Sequence, residues 1–389
     1  MTQRIVVVGA GIAGLASAVA LRRRGYDVSI VEQRTDTTPG AAISIWPNAL
    51  AALDELGLGD EVRDAGARVA TGALRWRDGS WLRRPATESL ISALGEPLVV
   101  LRRSALRNIL TAAAADISVE YGLAASKLEP SGDGIRIELS DGAVRCADAV
   151  IGADGIGSMV ARHLNGPLRY RYAGYTAWRG IAACGMDPDL AGATLGPGVE
   201  TGHIPCGPDL TYWYTTERAP EGRSATDADL PYLRAKLAGW PEPVPDVLAA
   251  TTPDDLLRND LYDREPARRW ARGPVVVVGD AAHPMRPHLG QGGCQGLEDA
   301  AILGAFVERV ADLPAAFAAF ADFRRSRTSA VVRESAMLGR VINLRPAFLS
   351  AALSRTSALI PDAGFTRHLA SVAGRPAFVL PTVGDVNRA

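Results

Sequence analysis

Cysteine is scarce in this chain, with 4 in 389 residues: Cys146, Cys184, Cys206 and Cys294 stand far apart, with no C-x-x-C pair and no histidine at ligand spacing. That distribution excludes a disulfide framework and a thiolate metal centre, and it predicts free thiols in a reducing cytoplasm. An excess of one charge is also lacking, because 42 Lys plus Arg nearly balance 43 Asp plus Glu. Such a balance argues against nucleic acid or an acidic membrane as partner. No apolar run is long enough to span a bilayer, and the first one, residues 5–8, reads as a strand of the fold and not as the core of a leader. What is present, 47% apolar and 22% charged residues, suits two globular domains with a large core.

Residues 4–32, RIVVVGAGIAGLASAVALRRRGYDVSIVE, organise the rest. The β-branched run 5–8 reads as a buried parallel strand. Gly9, Gly11 and Gly14 then form G-x-G-x-x-G: one glycine for the tight turn, one for close approach of backbone to a pyrophosphate, one for close helix packing. A helix over residues 13–24, opening at Ala13, aims free N–H groups and its positive dipole end at that pyrophosphate. Gly25 stops the helix, residues 27–31 form a second strand, and Glu32 stands where a carboxylate accepts both hydroxyls of an adenosine ribose. An acid there disfavours a 2′-phosphate, which points to FAD or NAD and leaves the choice between them open. Gln33 and Ala42, just beyond the acid, are placed in the same nucleotide site.

Further along, Pro47 and Asn48 begin an amphipathic helix preceded by Trp46, which reads either as packing or as part of a neighbourhood beside a bound cofactor. Residues 73–83 read as two short strands turning at Asp78-Gly79. Arg102 and Arg103 open a helix over 104–114; a guanidinium there either decorates the surface or holds a diphosphate. Segments 117–121, 125–130, 134–140 and 143–146 alternate like an antiparallel insertion with turns at 132–134 and 141–142. The apolar strand 149–152 then presents Asp154 and Gly155 at its C-terminal end, where ligands sit in open α/β sheets. Between residues 167 and 272 prolines, glycines and aromatics (Tyr172, Tyr175, Trp178, Tyr212, Trp213, Tyr214) become frequent. That segment reads as a mainly antiparallel sheet, suited to a flat apolar ligand or to ordinary cross-strand core pairs. Residues 273–301 return to the first architecture: a strand at 275–278, a turn carrying Asp280, and a glycine-rich approach at 290–296 to a helix running past Leu303. Residues 313–345 are helical, Pro346 breaks into a helical tail over 347–373, and residues 381–389 read as loose.

Three motifs, GAGIAG with Glu32, GADGIGSMVAR at 152–162 and GDAAHPMRPHLGQGG at 279–293, together resemble the single-component (class A) FAD-dependent aromatic monooxygenases. This is the family typified by para-hydroxybenzoate and salicylate hydroxylases, and the resemblance covers nearly the whole chain. AAISIWPNAL, RYAGYTAWRG and GQGGCQGLEDA are most similar to the branch that includes FAD-dependent urate hydroxylase. The resemblance implies an α/β fold: a Rossmann-like FAD-binding domain of the GR2 type in three pieces (1–70, 99–166, 273–345), an inserted, mainly antiparallel substrate domain (71–98 and 167–272), and a C-terminal helical tail (346–389).

The implied roles follow residue by residue. Gly9, Gly11 and Gly14 hold the FAD pyrophosphate, Glu32 the ribose, Arg103 the ribityl and phosphate side, and Asp280 the ribityl chain. Asp154 and Gly155 match a pair associated with FAD and the nicotinamide; Pro287, Gly290, Gly292 and Gly293 lie against the isoalloxazine. No second G-x-G-x-x-G is present, so NADH or NADPH visits transiently. The implied reaction is hydroxylation, by O₂ and NAD(P)H, of an aromatic or polycyclic small molecule through a flavin C4a-hydroperoxide, with no metal and no catalytic triad. Substrate-pocket candidates are Arg179, His203, Tyr212, Tyr214, Pro287 and His288, while His283 reads as structural. Residues 201–214 lack an arginine for an anionic ligand, so Arg179 either serves that purpose or pairs with a surface acid. The same fold leaves open an epoxidase, a Baeyer–Villiger oxygenase, a reductase, or a flavin-bound redox or ligand sensor. A cytoplasmic monomer or homodimer is expected.

Overall fold

In the computed structural model, which describes residues 2–35, 41–70, 72–132, 134–222 and 226–386, the strand Arg4–Val8 lies between Asp27–Glu32 and Ala149–Gly152 and runs parallel to both. These strands belong to a six-stranded sheet ordered Ala271–Arg272, Val275–Val277, Ala149–Gly152, Arg4–Val8, Asp27–Glu32, Ser118–Tyr121. All neighbours are parallel except the two-residue edge strand. Ile5, Val7, Ile151 and Val276 are fully buried, as strands covered on both faces require. The helix Ile12–Arg22 packs on Gly292–Arg309, so the first and third motifs meet.

The segment expected to begin the antiparallel insertion is instead the parallel edge strand Ser118–Tyr121, paired with Asp27–Glu32. A half-exposed edge strand alternates in polarity like a hairpin strand, so its pattern does not reveal its partner. The insertion proper is the three-stranded antiparallel sheet Ala125–Ser131, Gly134–Leu139, Val144–Ala147. One residue of its expected turn, Asp133, lies outside the described residues.

The second large sheet has seven strands, ordered Leu257–Arg264, Tyr170–Ala182, Leu210–Glu217, Val199–Gly207, Gly192–Gly196, Ala73–Trp76, Trp81–Arg83. Its pairings are antiparallel apart from Gly192–Gly196 with Ala73–Trp76. Trp178 and Trp213, on one face, pack against Leu230, Leu233, Val247 and Leu248 of two short helices, Asp229–Lys236 and Val244–Ala249. Neither helix is expected from the sequence, being too short to display a 3.6-residue period. The opposite face, with Ile204, Cys206 and Tyr212, packs against the small sheet Ala42–Ile45, Leu98–Arg102, Ala67–Val69.

The 30-residue helix Leu313–Ile342 follows. The expected helical tail is two helices, Ala347–Thr356 and Asp362–Ala373. Where a loose end is expected, Val383–Val386 forms a helical turn, and residues 387–389 lie outside the described part. Among the described residues no helix is long and apolar enough to cross a membrane, and all four cysteines are free thiols.

Candidate active site

The nucleotide end of the site is built at the C-terminal edge of the six-stranded sheet. A Cβ on Gly9, whose φ is +107°, would sit 2.4 Å from the Ala153 carbonyl oxygen, and one on Gly14 would sit 1.9 Å from the Gly9 carbonyl oxygen. Both glycines are therefore demanded by packing. Gly11 differs: nothing lies within 4 Å of its would-be Cβ, and it caps Ile12–Arg22 without any side-chain cap. The free N–H groups of that first turn, with open space before them, form a cradle that fits a pyrophosphate. Ala13 joins the motifs, since a Cβ on Gly279 or Gly296 would meet its methyl at 2.7 or 3.1 Å. Glu32 already carries a structural duty, accepting from the Ala10 N–H (2.6 Å) and the Arg34 N–H (2.9 Å). Gln33 is exposed beside it. Ala42 pairs with Arg102 in the small sheet, whose next residue, Arg103, donates its N–H to the Ala41 carbonyl (3.0 Å).

Arg103 has open surface, yet surrounding protein pushes its guanidinium below the ordinary arginine value, with Asp280 opposing that shift and Arg179 adding to it. Asp280 and Arg179 therefore both lie within electrostatic reach of the Arg103 guanidinium. Asp280 is exposed, and no described residue hydrogen-bonds its carboxylate, so the acid is available to a ligand. Asp154 is otherwise occupied. Its oxygens accept from Ser158 Oγ and from the N–H groups of Met159 (2.7 Å) and Val160 (3.2 Å), which fixes the start of Met159–Asn165 and leaves Gly155 (φ +73°) as the turn. Burial raises the Asp154 carboxyl despite those bonds. Arg264, unforeseen from the sequence, donates to the carbonyls of Ile156 (3.3 Å), Ala281 (2.8 Å) and Ala282 (3.3 Å) and ties the second motif to the third. Burial lowers its guanidinium to about 10, with Asp154 and Asp280 opposing.

The third motif turns at Gly279–Ala281 and again at Pro287–Leu289, and its helix begins at Gly292, inside the stretch 290–296 expected as its glycine-rich approach. Gly290 (φ +62°) lies beneath Trp46, Gly293 beneath Ile43, and Gly292 beside Asp280. The Gly279 N–H donates to Asp299 Oδ2 (2.8 Å), which also bonds His283 Nε2 (2.6 Å), so His283 is structural, as expected. Arg324 spans Asp299 (2.7 Å) and Glu298 (2.6 Å), and Glu298 also accepts from Asn48 (2.6 Å). Burial alone would raise Asp299, but His283 and Arg324 pull it down to about 2. In the sequence this network is signalled only by two adjacent acids inside an otherwise apolar helix.

The pocket face of the seven-stranded sheet carries Arg179, Tyr212 and Tyr214: Arg179 is paired with Tyr214, and Ile181 with Tyr212. Both tyrosines keep partly open surface, and burial raises both hydroxyls. Arg179 has no hydrogen bond or ion pair to any described residue, so the surface acid that might have claimed it is not among them. His288, in the turn after Pro287, reaches this face: its Nδ1 lies 2.8 Å from Glu200 Oε2 and its Nε2 2.8 Å from the Tyr175 hydroxyl. His203 does not join them. It pairs with Trp213 and so shares the opposite face, toward the helical layer, where burial lowers its imidazole to about 3.

A Rossmann-type nucleotide cradle beside an aromatic-bearing sheet is the arrangement of a flavoprotein oxidoreductase. The model of the FAD binding domain family matches residues 2–333, and the chain belongs to that family. It is 34% identical over 351 residues to the aurachin C monooxygenase/isomerase of Stigmatella aurantiaca, covering 88% of this chain and 91% of that protein. It is 35% identical over 343 residues to an FAD-dependent urate hydroxylase of Klebsiella pneumoniae, covering 85% and 88%. The structure of Klebsiella pneumoniae HpxO complexed with FAD and uric acid superposes with a TM-score of 0.88 at 28% identity, over 96% of this chain and 97% of that one. The chain is an FAD-dependent monooxygenase.

Proposed function

We propose that this enzyme hydroxylates a planar aromatic or heteroaromatic small molecule that carries an acidic or electron-rich oxygen, held between Arg179, Tyr212, Tyr214 and the turn Pro287–Leu289. The observation that carries this reading is Arg179: a guanidinium without a partner among the described residues, on a face with two half-buried tyrosines and within electrostatic reach of Arg103. Uric acid, the ligand of the HpxO structure, is a planar weak acid and belongs to the proposed class.

FAD fits the residues present. Gly11 and the first turn of Ile12–Arg22 would receive the pyrophosphate, Asp280 and Arg103 the ribityl side, and the start of Gly292–Arg309 the ring's polar edge. Bound there, FAD supplies the electron transfer from NAD(P)H and the activation of O₂. The chain's own residues bind and orient: Arg179 anchors an oxygen of the substrate, and the tyrosines flank its ring beside the turn at Pro287.

The test is NAD(P)H oxidation and O₂ uptake by the FAD-loaded protein across phenols, hydroxylated N-heteroaromatics and polycyclic quinones. One chemical series should accelerate both and yield a product one oxygen heavier. Oxidation indifferent to every compound would instead favour a sensor or reductase. Arg179→Gln should raise KM for the accelerating substrate by about 10- to 100-fold, the value of a hydrogen bond to a charged group.

A further inference from the structure

Four titratable side chains on the pocket face form one hydrogen-bonded chain that the flavin site does not use. The Tyr214 hydroxyl lies 3.3 Å from Glu200 Oε1, Glu200 Oε2 2.8 Å from His288 Nδ1, and His288 Nε2 2.8 Å from the Tyr175 hydroxyl. The Glu200 side chain is 7% exposed and that of His288 1%. The backbone of the long helix seals the far end, since a Cβ on Gly339 would meet His288 Nε2 at 2.7 Å and the Tyr175 oxygen at 2.8 Å.

Counting protons orients the chain. An ionised carboxylate only accepts, whereas a tyrosine has one proton to donate and a neutral imidazole one. All three contacts are satisfied when Tyr214 donates to Oε1, His288 Nδ1–H donates to Oε2, and Tyr175 donates to Nε2. The proton of Tyr214 is then committed inward. Burial and the Glu200 charge both hold that hydroxyl in its protonated form, well above the ordinary tyrosine value. Any further partner of that oxygen can therefore meet only its lone pairs. Arg179, the direct cross-strand partner of Tyr214, is by contrast a pure donor.

We infer that Tyr214, polarised by Glu200 and His288, is a specificity-determining hydrogen-bond acceptor, so that the substrate must present an O–H or N–H to Tyr214 beside an oxygen that faces Arg179. The inference rests on the reading of this face as the substrate pocket. It narrows the substrate class to rings that carry a hydrogen-bond donor next to an acceptor, such as hydroxy-carbonyl aromatics and lactams, and it excludes their O- or N-methylated counterparts.

The experiment compares matched pairs on the FAD-loaded protein, 2-quinolone against its N-methyl derivative and 1-isoquinolone against its N-methyl derivative, by calorimetry and by perturbation of the flavin absorption band. The unmethylated member should bind at least about tenfold more tightly, the value of one hydrogen bond left unmade. Glu200→Gln turns the inward acceptor into a possible donor and frees the Tyr214 proton to point outward, so the preference should fall below threefold or reverse. Tyr214→Phe should weaken only the unmethylated member, which separates hydrogen-bond loss from the bulk of the methyl group. The inference is overturned if no pair separates by threefold in the wild type, or if the separation persists in Glu200→Gln with FAD still bound. Pairs that separate without any compound accelerating O₂ uptake would sink the hydroxylase reading and leave the polarity intact. Acceleration without separation would do the reverse.

Discussion

Gly11 and Gly14 belong to one motif yet meet different physical demands. Gly14 has no room for a methyl, and Gly11 has room that a phosphate is expected to need. Gly14→Ala should therefore lower thermal stability with or without flavin, whereas Gly11→Ala should leave the apoprotein's melting temperature intact and reduce FAD retention on gel filtration. Asp280→Ala should behave like Gly11→Ala, because no described residue depends on that carboxylate. His203 supplies a pH signature. Its imidazole falls from 6.5 to about 3 in the folded chain, so only the unfolded chain takes up a proton between those values. The neutral form's contribution is complete above pH 6.5 and is lost as pH falls toward 3, by about 1.4 kcal/mol per unit. Urea titrations at pH 7, 5.5 and 4.5 should show His203→Gln losing less stability than the wild type over that interval. His203 is a pocket candidate in the sequence because its strand adjoins the aromatic strand Leu210–Glu217, and a register shift of one residue decides which face it takes.

At the scale of elements, the turn Gly279–Ala281 depends on a buried ionic network and not on its own glycine alone. Removing Arg324 would take away a cation shared by Glu298 and Asp299, leaving Glu298 to Arg327 and Asn48 and Asp299 to His283, and with that partial compensation the loss should be about 3 kcal/mol, the low end for breaking a buried pair. Arg324→Met should show that loss in chemical denaturation and a parallel drop in flavin content, since Asp299 holds the Gly279 N–H. The three glycine motifs were legible because strand, turn and helix follow within a few residues of one another. Arg264, Glu200 and Arg324 were not, because their partners lie across the fold and depend on strand pairing and helix packing. The helices Asp229–Lys236 and Val244–Ala249 escaped notice for a simpler reason: six to eight residues display too little periodicity to stand out among prolines.

For the molecule as a whole, the interleaving of two sheets was readable from changes in composition along the chain, since aromatic and proline-rich stretches separate the apolar parallel strands. The pairing of 117–121 was not readable, nor was the small sheet that joins Ala42–Ile45 to Leu98–Arg102. The order of strands in the nucleotide sheet has a further consequence for how the protein is made. Arg4–Val8 must wait for Ala149–Gly152, and that strand in turn for Val275–Val277, so its defining contacts span most of the chain. A nascent chain carries Gly9, Gly11 and Gly14 from the outset, yet it has no finished cradle until the third motif has left the ribosome. A fragment ending at residue 272 should therefore fail to quench flavin fluorescence, and cofactor capture should come near the end of synthesis.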